Sequence, residues 1–293
     1  MWQLLQIELF KIFRKPRTYI SFGAIAAMVL IVQVALKFDG QSYIEFLLGS
    51  LKDTLDIPYN TILNGYFVCF VILNLLLIHI PLLIALVAGD EIAGEANMGT
   101  LRLLVSKPVS RIQLMLSKFA ATVIYTALLL AWMAFLSLVL SIILFGTNDL
   151  IVARSNALEI IGRNDVMWRY LAAFAYATAA LTTVASLAFL LSVFADNSIG
   201  PIVSTISIVI VFTILSELQI PLYDRTVKPY LFTSHMLGWK GFFYLKTDAE
   251  GISIPGTIEN LPAVLKSLGI LLTYICLFTG SAMFIFKRKD ILS

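Results

Sequence analysis

The sequence is poor in charge, cysteine and histidine, and each shortage closes off a class of protein. Of its 293 residues 13% are charged and 59% hydrophobic, against roughly 25% charged in an average soluble domain. The chain does not read as a water-soluble globule. Its two cysteines, Cys69 and Cys276, both lie inside apolar runs and are too few for a disulfide framework. The two histidines, His79 and His235, are far apart, and no His-Glu-x-x-His or paired-cysteine spacing offers a metal site. A G-x-x-x-x-G-K-[ST] loop is also missing. The nearest approach, Gly89 to Gly94, runs into Glu95 and Ala96, which puts an acid where a phosphate would sit. No catalytic residue, metal or cofactor is expected on this chain. A net charge of +3 is too small and too dispersed to suggest a nucleic-acid partner.

Long apolar stretches are abundant. Six of them, near residues 18–36, 62–89, 119–145, 170–194, 199–216 and 264–286, reach or exceed the roughly 17 to 25 residues needed to cross a bilayer as helix. The fold class expected is an all-α polytopic membrane protein, a single transmembrane domain over residues 1–293. The first stretch is long for a signal peptide and is followed by Lys37-Phe38-Asp39 instead of a small-residue cleavage site, so it reads as a retained span. Basic residues cluster before span one (Lys11, Arg14, Lys15, Arg17), between spans two and three (Arg102, Lys107, Arg111, Lys118) and after span six (Lys287, Arg288, Lys289), which is 11 of the 21 Lys and Arg. The positive-inside rule therefore places both termini in the cytoplasm.

The segments between spans differ in character. Residues 1–17 pattern as an interfacial elbow helix, with Gln3, Gln6, Lys11, Arg14 and Lys15 set against Trp2, Leu5, Leu9, Ile12 and Phe13 before the turn at Pro16. Asp196-Asn197-Ser198 is a tight link between spans four and five, with Pro201 at a plausible first helical position. The long external segment 217–263 carries Tyr230, Phe232, Trp239, Phe242, Phe243 and Tyr244. It reads either as a region dipping into the outer leaflet or as a small folded cap. Alanines of span four, such as Ala175 with Ala179, suit close helix packing. Asn74, His79, Ser204 and Thr205 are candidates to line a pathway; the alternatives are a helix–helix hydrogen bond for His79, beside the kink expected at Pro81, and bonds to their own helix backbone for the span-five hydroxyls.

The most informative segment is 90–111. Gly99 and Thr100 open a short helix, Pro108 stops it, and Ser110 with Gln113 forms a capping box for span three. Leu101, Leu104 and Val105 share one face of that helix, which suits either docking to a soluble partner or lying on lipid. The run Glu95-x-x-x-Gly99-Thr100-Leu101, then Lys107-Pro108-Val109-Ser110-Arg111 and Lys118, together with the opening Glu8-Leu9-Phe10-Lys11 and Arg14, resembles the type-2 ABC exporter permeases, membrane subunits of bacterial ATP-binding-cassette transporters. The resemblance implies a coupling helix in 90–111, with Glu95, Gly99, Thr100, Leu101, Arg102, Leu104, Pro108, Ser110 and Arg111 building or flanking an ATPase-docking contact. Arg102 stands where such permeases often carry Glu. The partners implied are an ABC ATPase subunit holding ATP and magnesium, a second permease copy or paralogue, and membrane lipid, in the bacterial inner membrane. The rival expectations are a non-transporting anchor that passes ATPase-driven motion to an extracytoplasmic partner, and an intramembrane enzyme using His79 or Glu217.

Overall fold

In hydrocarbon no water is present to satisfy a backbone N–H or C=O, so an apolar run must satisfy its own by becoming helix. A computed structural model describes residues 1–48, 59–101, 109–154, 157–218, 223, 226–248 and 253–289. It has six helices long and apolar enough to cross a membrane: Pro16–Phe46, Gly65–Asn97, Arg111–Phe145, Arg163–Phe194, Ile199–Glu217 and Leu261–Arg288. We refer to these as spans one to six. The chain is thus a multi-pass helical membrane protein.

The helices extend past the apolar runs that mark them in the sequence. Helix α1 (Trp2–Arg14) is followed at once by α2 (Pro16–Leu48), in which Asp39 departs from helical geometry at φ −130°, ψ 24°. A single turn, α3 (Tyr59–Ile62), precedes α4 (Gly65–Ala88), whose first amides, Tyr66 N and Phe67 N, donate to the capping side chain of Asn64. A short α5 (Ala93–Asn97) leads toward α6 (Arg111–Ala134). That helix continues through a π-helical stretch, Phe135–Leu140, into α7 (Ser141–Phe145). A π turn frees carbonyls from the regular ladder. Gln33 in span one uses its amide on this stretch, donating to Leu136 O at 3.1 Å and Ser141 Oγ at 2.9 Å. Helices α8 (Arg163–Phe194) and α9 (Ile199–Glu217) form the expected tight hairpin, although α9 begins two residues ahead of Pro201. Helix α11 (Leu261–Arg288) is span six.

Spans two and four form the centre, with 56% and 72% of their most apolar windows buried, against 17 to 33% for the other four. Small residues permit this. Ala173, Ala177 and Ala180 of span four are buried, whereas Ala175 of the expected small-residue pair is exposed. At the start of span two, a Cβ on Gly65 would meet the backbone of Ile142 at 2.6 Å, so only glycine fits where spans two and three cross.

Two small hairpins add strand to the expected all-helical architecture, both at the end of the bundle opposite α1. Strands β1 (Leu150–Arg154) and β2 (Ala157–Ile161) pair antiparallel, Leu150 with Ile161. The two-residue strands β3 (Lys246–Thr247) and β4 (Ser253–Ile254) do the same. The aromatic segment is a folded insert. A 3₁₀ turn, Lys228–Tyr230, leads into α10 (Phe232–Met236) and a further 3₁₀ stretch, Leu237–Phe243. Phe232, Trp239 and Phe243 are buried. Trp239 packs edge-on to Phe70, and Phe232 lies among Phe212, Tyr274 and Phe278. These side chains thus pack against spans two, five and six.

Candidate functional site

Charges near the ends of spans are costly unless paired, and at the α1 end of the bundle they converge. Lys118, in the second turn of α6, has a side chain only 1% exposed. Its Nζ donates to Glu8 Oε2 at 2.9 Å and to Glu91 O at 3.2 Å, and lies 2.8 Å from Glu95 Oε1. Lys11 bridges the same two carboxylates, reaching Glu8 Oε1 and Glu95 Oε1 at 2.8 Å each. One helical turn further along, Lys15 donates to Asp90 Oδ2 at 2.6 Å, and Arg17 Nη1 lies 2.9 Å from Asp90 Oδ1. Ser198, in the link between spans four and five, also donates to that oxygen. Finally, the free amides of Ile92 and Ala93 at the head of α5 donate to Ser192 Oγ of span four, at 3.1 and 2.9 Å. The turn leaving span two is thereby tied to α1, span three, span four and the link beyond it.

This pairing changes the expected sidedness of α1 in part. Ile12 is buried and Gln3, Gln6 and Arg14 are exposed, as the pattern predicts, but Lys11 and Lys15 turn inward to carboxylates, Glu8 is buried, and Trp2, Ile7 and Phe10 are exposed. The exposed side mixes apolar and polar side chains, which suits a helix at a lipid interface. Burial acts to raise the Glu8 carboxyl, but Lys118 and then Lys11 outweigh it and hold the group below its ordinary value of 4.5. A depressed folded value stabilises above the unfolded value, and that contribution is lost as pH falls through the folded one. Protection of the α1 amides, taken relative to the intrinsic exchange rate at each pH, is accordingly expected to hold down to about pH 5 and to fall only at more acidic pH. Loosening of α1 near neutral pH would contradict this role for Glu8.

The residues expected to flank a docking contact have diverse environments. Glu95 is part of the charge joint. Gly99 has a left-handed φ of 70° and turns the chain after α5. The Thr100 hydroxyl donates back across this turn to Glu95 O at 3.3 Å. Leu101 is only 4% exposed and packs with Ile92, Met115, Phe189, Val193 and Phe286. This corrects the expectation of an outward apolar face at that position: Leu101 anchors the segment inward. Ser110 caps span three, accepting from Gln113 N at 3.2 Å. The guanidinium of Arg111 donates to Phe286 O, Lys287 O and Lys289 O at 3.4, 3.2 and 2.8 Å, closing the end of span six. Arg102, Leu104 and Pro108 lie outside the described residues. Asn97, Met98 and Gly99 are exposed.

The pathway candidates do not converge on a shared site through any hydrogen bond among the described residues. Asn74 and Thr205 bond to their own helices, at Phe70 O (3.0 Å) and Pro201 O (2.7 Å). His79 Nδ1 lies 2.7 Å from Leu75 O, and both His79 and Ser204 are exposed on the single chain. No group of three or more metal-ligating side chains occurs among the described residues. Glu8, Asp90 and Lys118, central to the joint, are not among the docking candidates, although Glu8 and Lys118 belong to the runs that carry the resemblance. For Asp90 the available signal was a charge beside an apolar run.

A polar clasp occupies the opposite end. Arg169, fully buried, binds Asp165 Oδ2 through Nε (3.0 Å) and Nη2 (2.6 Å), and donates to Phe242 O and Thr257 O at 2.5 and 2.8 Å. Glu159 Oε2 accepts from Leu245 N at 2.9 Å. These contacts fasten the aromatic insert to span four and to the first hairpin.

Comparison with known proteins gives a family match over residues 19–292, to a family described as "Protein of unknown function (DUF2705)". The chain belongs to this family. It is also 29% identical over 116 residues to the "Uncharacterized protein YhcI" of Bacillus subtilis (strain 168), a match covering 39% of this chain and 37% of that protein.

Proposed function

We propose, from the resemblance of residues 95–118 and of the opening segment to type-2 ABC exporter permeases, that the chain is the transmembrane permease subunit of an ATP-driven ABC-type exporter. It forms half of a translocation pathway and docks a separate ATPase subunit, which carries the ATP and magnesium. A second copy or a paralogue supplies the other half. In this reading the spans lie in the bacterial inner membrane with both termini cytoplasmic, α1 is the elbow helix along the inner interface, and residues 90–111 contain the coupling helix.

The observation that carries the reading is the charge joint. A coupling segment transmits motion only if its root is rigid, and Asp90 and Glu95 bind that root to Lys11, Lys15, Arg17 and Lys118. A displacement applied near residues 97–111 would then move α1 and spans two and three together. ATP binding would draw two ATPase subunits toward each other, and the joints would convert that closure into rocking of the spans, a two-state element biased by a ligand bound elsewhere. Catalysis resides in the partner.

Exposed Met98 is the position for the test. With a photo-crosslinking amino acid at Met98 in native membranes, the expected product is an adduct to an ATP-binding-cassette protein. Adducts to phospholipid alone would overturn the docking. The anchor reading draws support from the clasp around Arg169, which could deliver the same motion to an extracytoplasmic partner. A solute that raises the ATPase rate of the reconstituted complex would favour export, and a co-purifying extracytoplasmic protein would favour the anchor.

A further inference from the structure

Where spans four and six end side by side, an open groove of about 390 Å³ is lined by Val193, Phe194, Phe284, Ile285, Arg288 and Lys289. Its walls are apolar and outward-facing: Phe194 is 61% and Phe284 56% exposed, and both belong to helices apolar enough to cross a membrane. Its rim is cationic. The Arg288 guanidinium carbon sits 4.1 Å from the centre of the Phe284 ring. Stacking of this kind leaves the in-plane N–H groups free for paired bonds to an oxyanion.

Two helix C-termini meet at this rim, and their unpaired carbonyls would ordinarily repel an anion. Here four of those carbonyls have donors. Arg111 occupies the carbonyls of Phe286, Lys287 and Lys289, and Lys289 Nζ donates to Val193 O at 2.9 Å. Against Arg111, Lys287, Arg288 and Lys289, the nearby acid among the described residues is the exposed Asp196, 3.8 Å from Lys289 Nζ. Asp290, next in the sequence, lies outside the described residues, and with it counted the four bases still outnumber the acids.

We propose that this groove binds an anionic phospholipid from the leaflet at that end of the bundle. One acyl chain lies along Phe194 and Phe284, and the phosphate is held by Arg288 with Lys289 beside it. A soluble anion would use the rim and leave the apolar wall bare, and a zwitterionic lipid would cover the wall but bring a quaternary ammonium beside its phosphate, against the cations of the rim. An anionic amphiphile satisfies both. Bound there, it would join spans four and six at the point where Arg111 already links span six to span three. The inference is independent of any docked ATPase.

The test places the full-length protein in phosphatidylcholine vesicles with a trace of lipid carrying a photoactivatable acyl chain, either phosphatidylglycerol or phosphatidylcholine. Phosphatidylglycerol is expected to label the peptides containing Phe194 and Phe284 more strongly, by about fivefold for each of the two cations. Unlabelled phosphatidylglycerol should compete, and Arg288→Gln, a change at an exposed side chain, should remove about fivefold of the preference. Competition on the unaltered protein reads the site without any variant. Equal labelling by both lipids, an unchanged preference in Arg288→Gln, displacement by inorganic phosphate, or no labelling because protein covers the groove would each overturn the proposal.

Discussion

Replacing Lys118 with methionine is expected to destabilise the folded chain by about 3–5 kcal/mol, the range for removing one partner from a buried ion pair. Methionine keeps most of the apolar volume of the side chain, so the loss reports charge more than packing. Glu8 and Glu95 would then face each other with Lys11 as their common cation, and Glu91 O would lose its donor. Thermal unfolding of the full-length protein in detergent measures the effect. The Glu8→Gln variant supplies a control, because residues sharing one network are not additive. Combining Glu8→Gln with Lys118→Met should cost less than the sum of the two single changes. A melting transition unchanged by Lys118→Met would show that the joint contributes nothing to stability.

Arg169→Met should produce a smaller loss, about 1–3 kcal/mol for carbonyls left without donors, localised to the opposite end. The carbonyls of Phe242 and Thr257 would lose their donors, while the part-exposed Asp165 would keep its bonds from Trp168 Nε1 and Gly256 N. The insert around Trp239 is then held by aromatic packing and by bonds such as Tyr176 Oη to His235 O at 2.6 Å. Hydrogen exchange is the suitable readout. Amides of residues 226–248 are expected to open while α1 and the charge joint remain protected. Uniform loosening of the whole chain would mean that the two ends are not independent units.

The sequence reveals the spans because apolar length is a local property, readable one window at a time. It also reveals Ser110 as a cap and Gly99 as a turn, since both depend on neighbours within a few residues. It does not reveal which charges meet. Lys11 and Glu95 are 84 positions apart and Lys118 and Glu8 are 110 apart. No periodicity encodes such separations. For the same reason Leu101 reads as a surface residue when only its own helix is considered, and its burial depends on Met115, Phe189 and Phe286 from three other helices. The aromatic insert is ambiguous in sequence because burial against lipid and burial against protein select the same side chains.

The pairing of α1 also constrains the order in which the protein can be built. The ribosome makes this helix before spans two and three, yet the groups that neutralise Lys11, Lys15 and Glu8 belong to the turn after span two and to span three. Until Lys118 has been synthesised and span three inserted, Glu8 lacks its buried cation and α1 lacks the helix it packs along. A nascent chain stalled after span two should therefore leave α1 open to protease, and one stalled after span three should protect it.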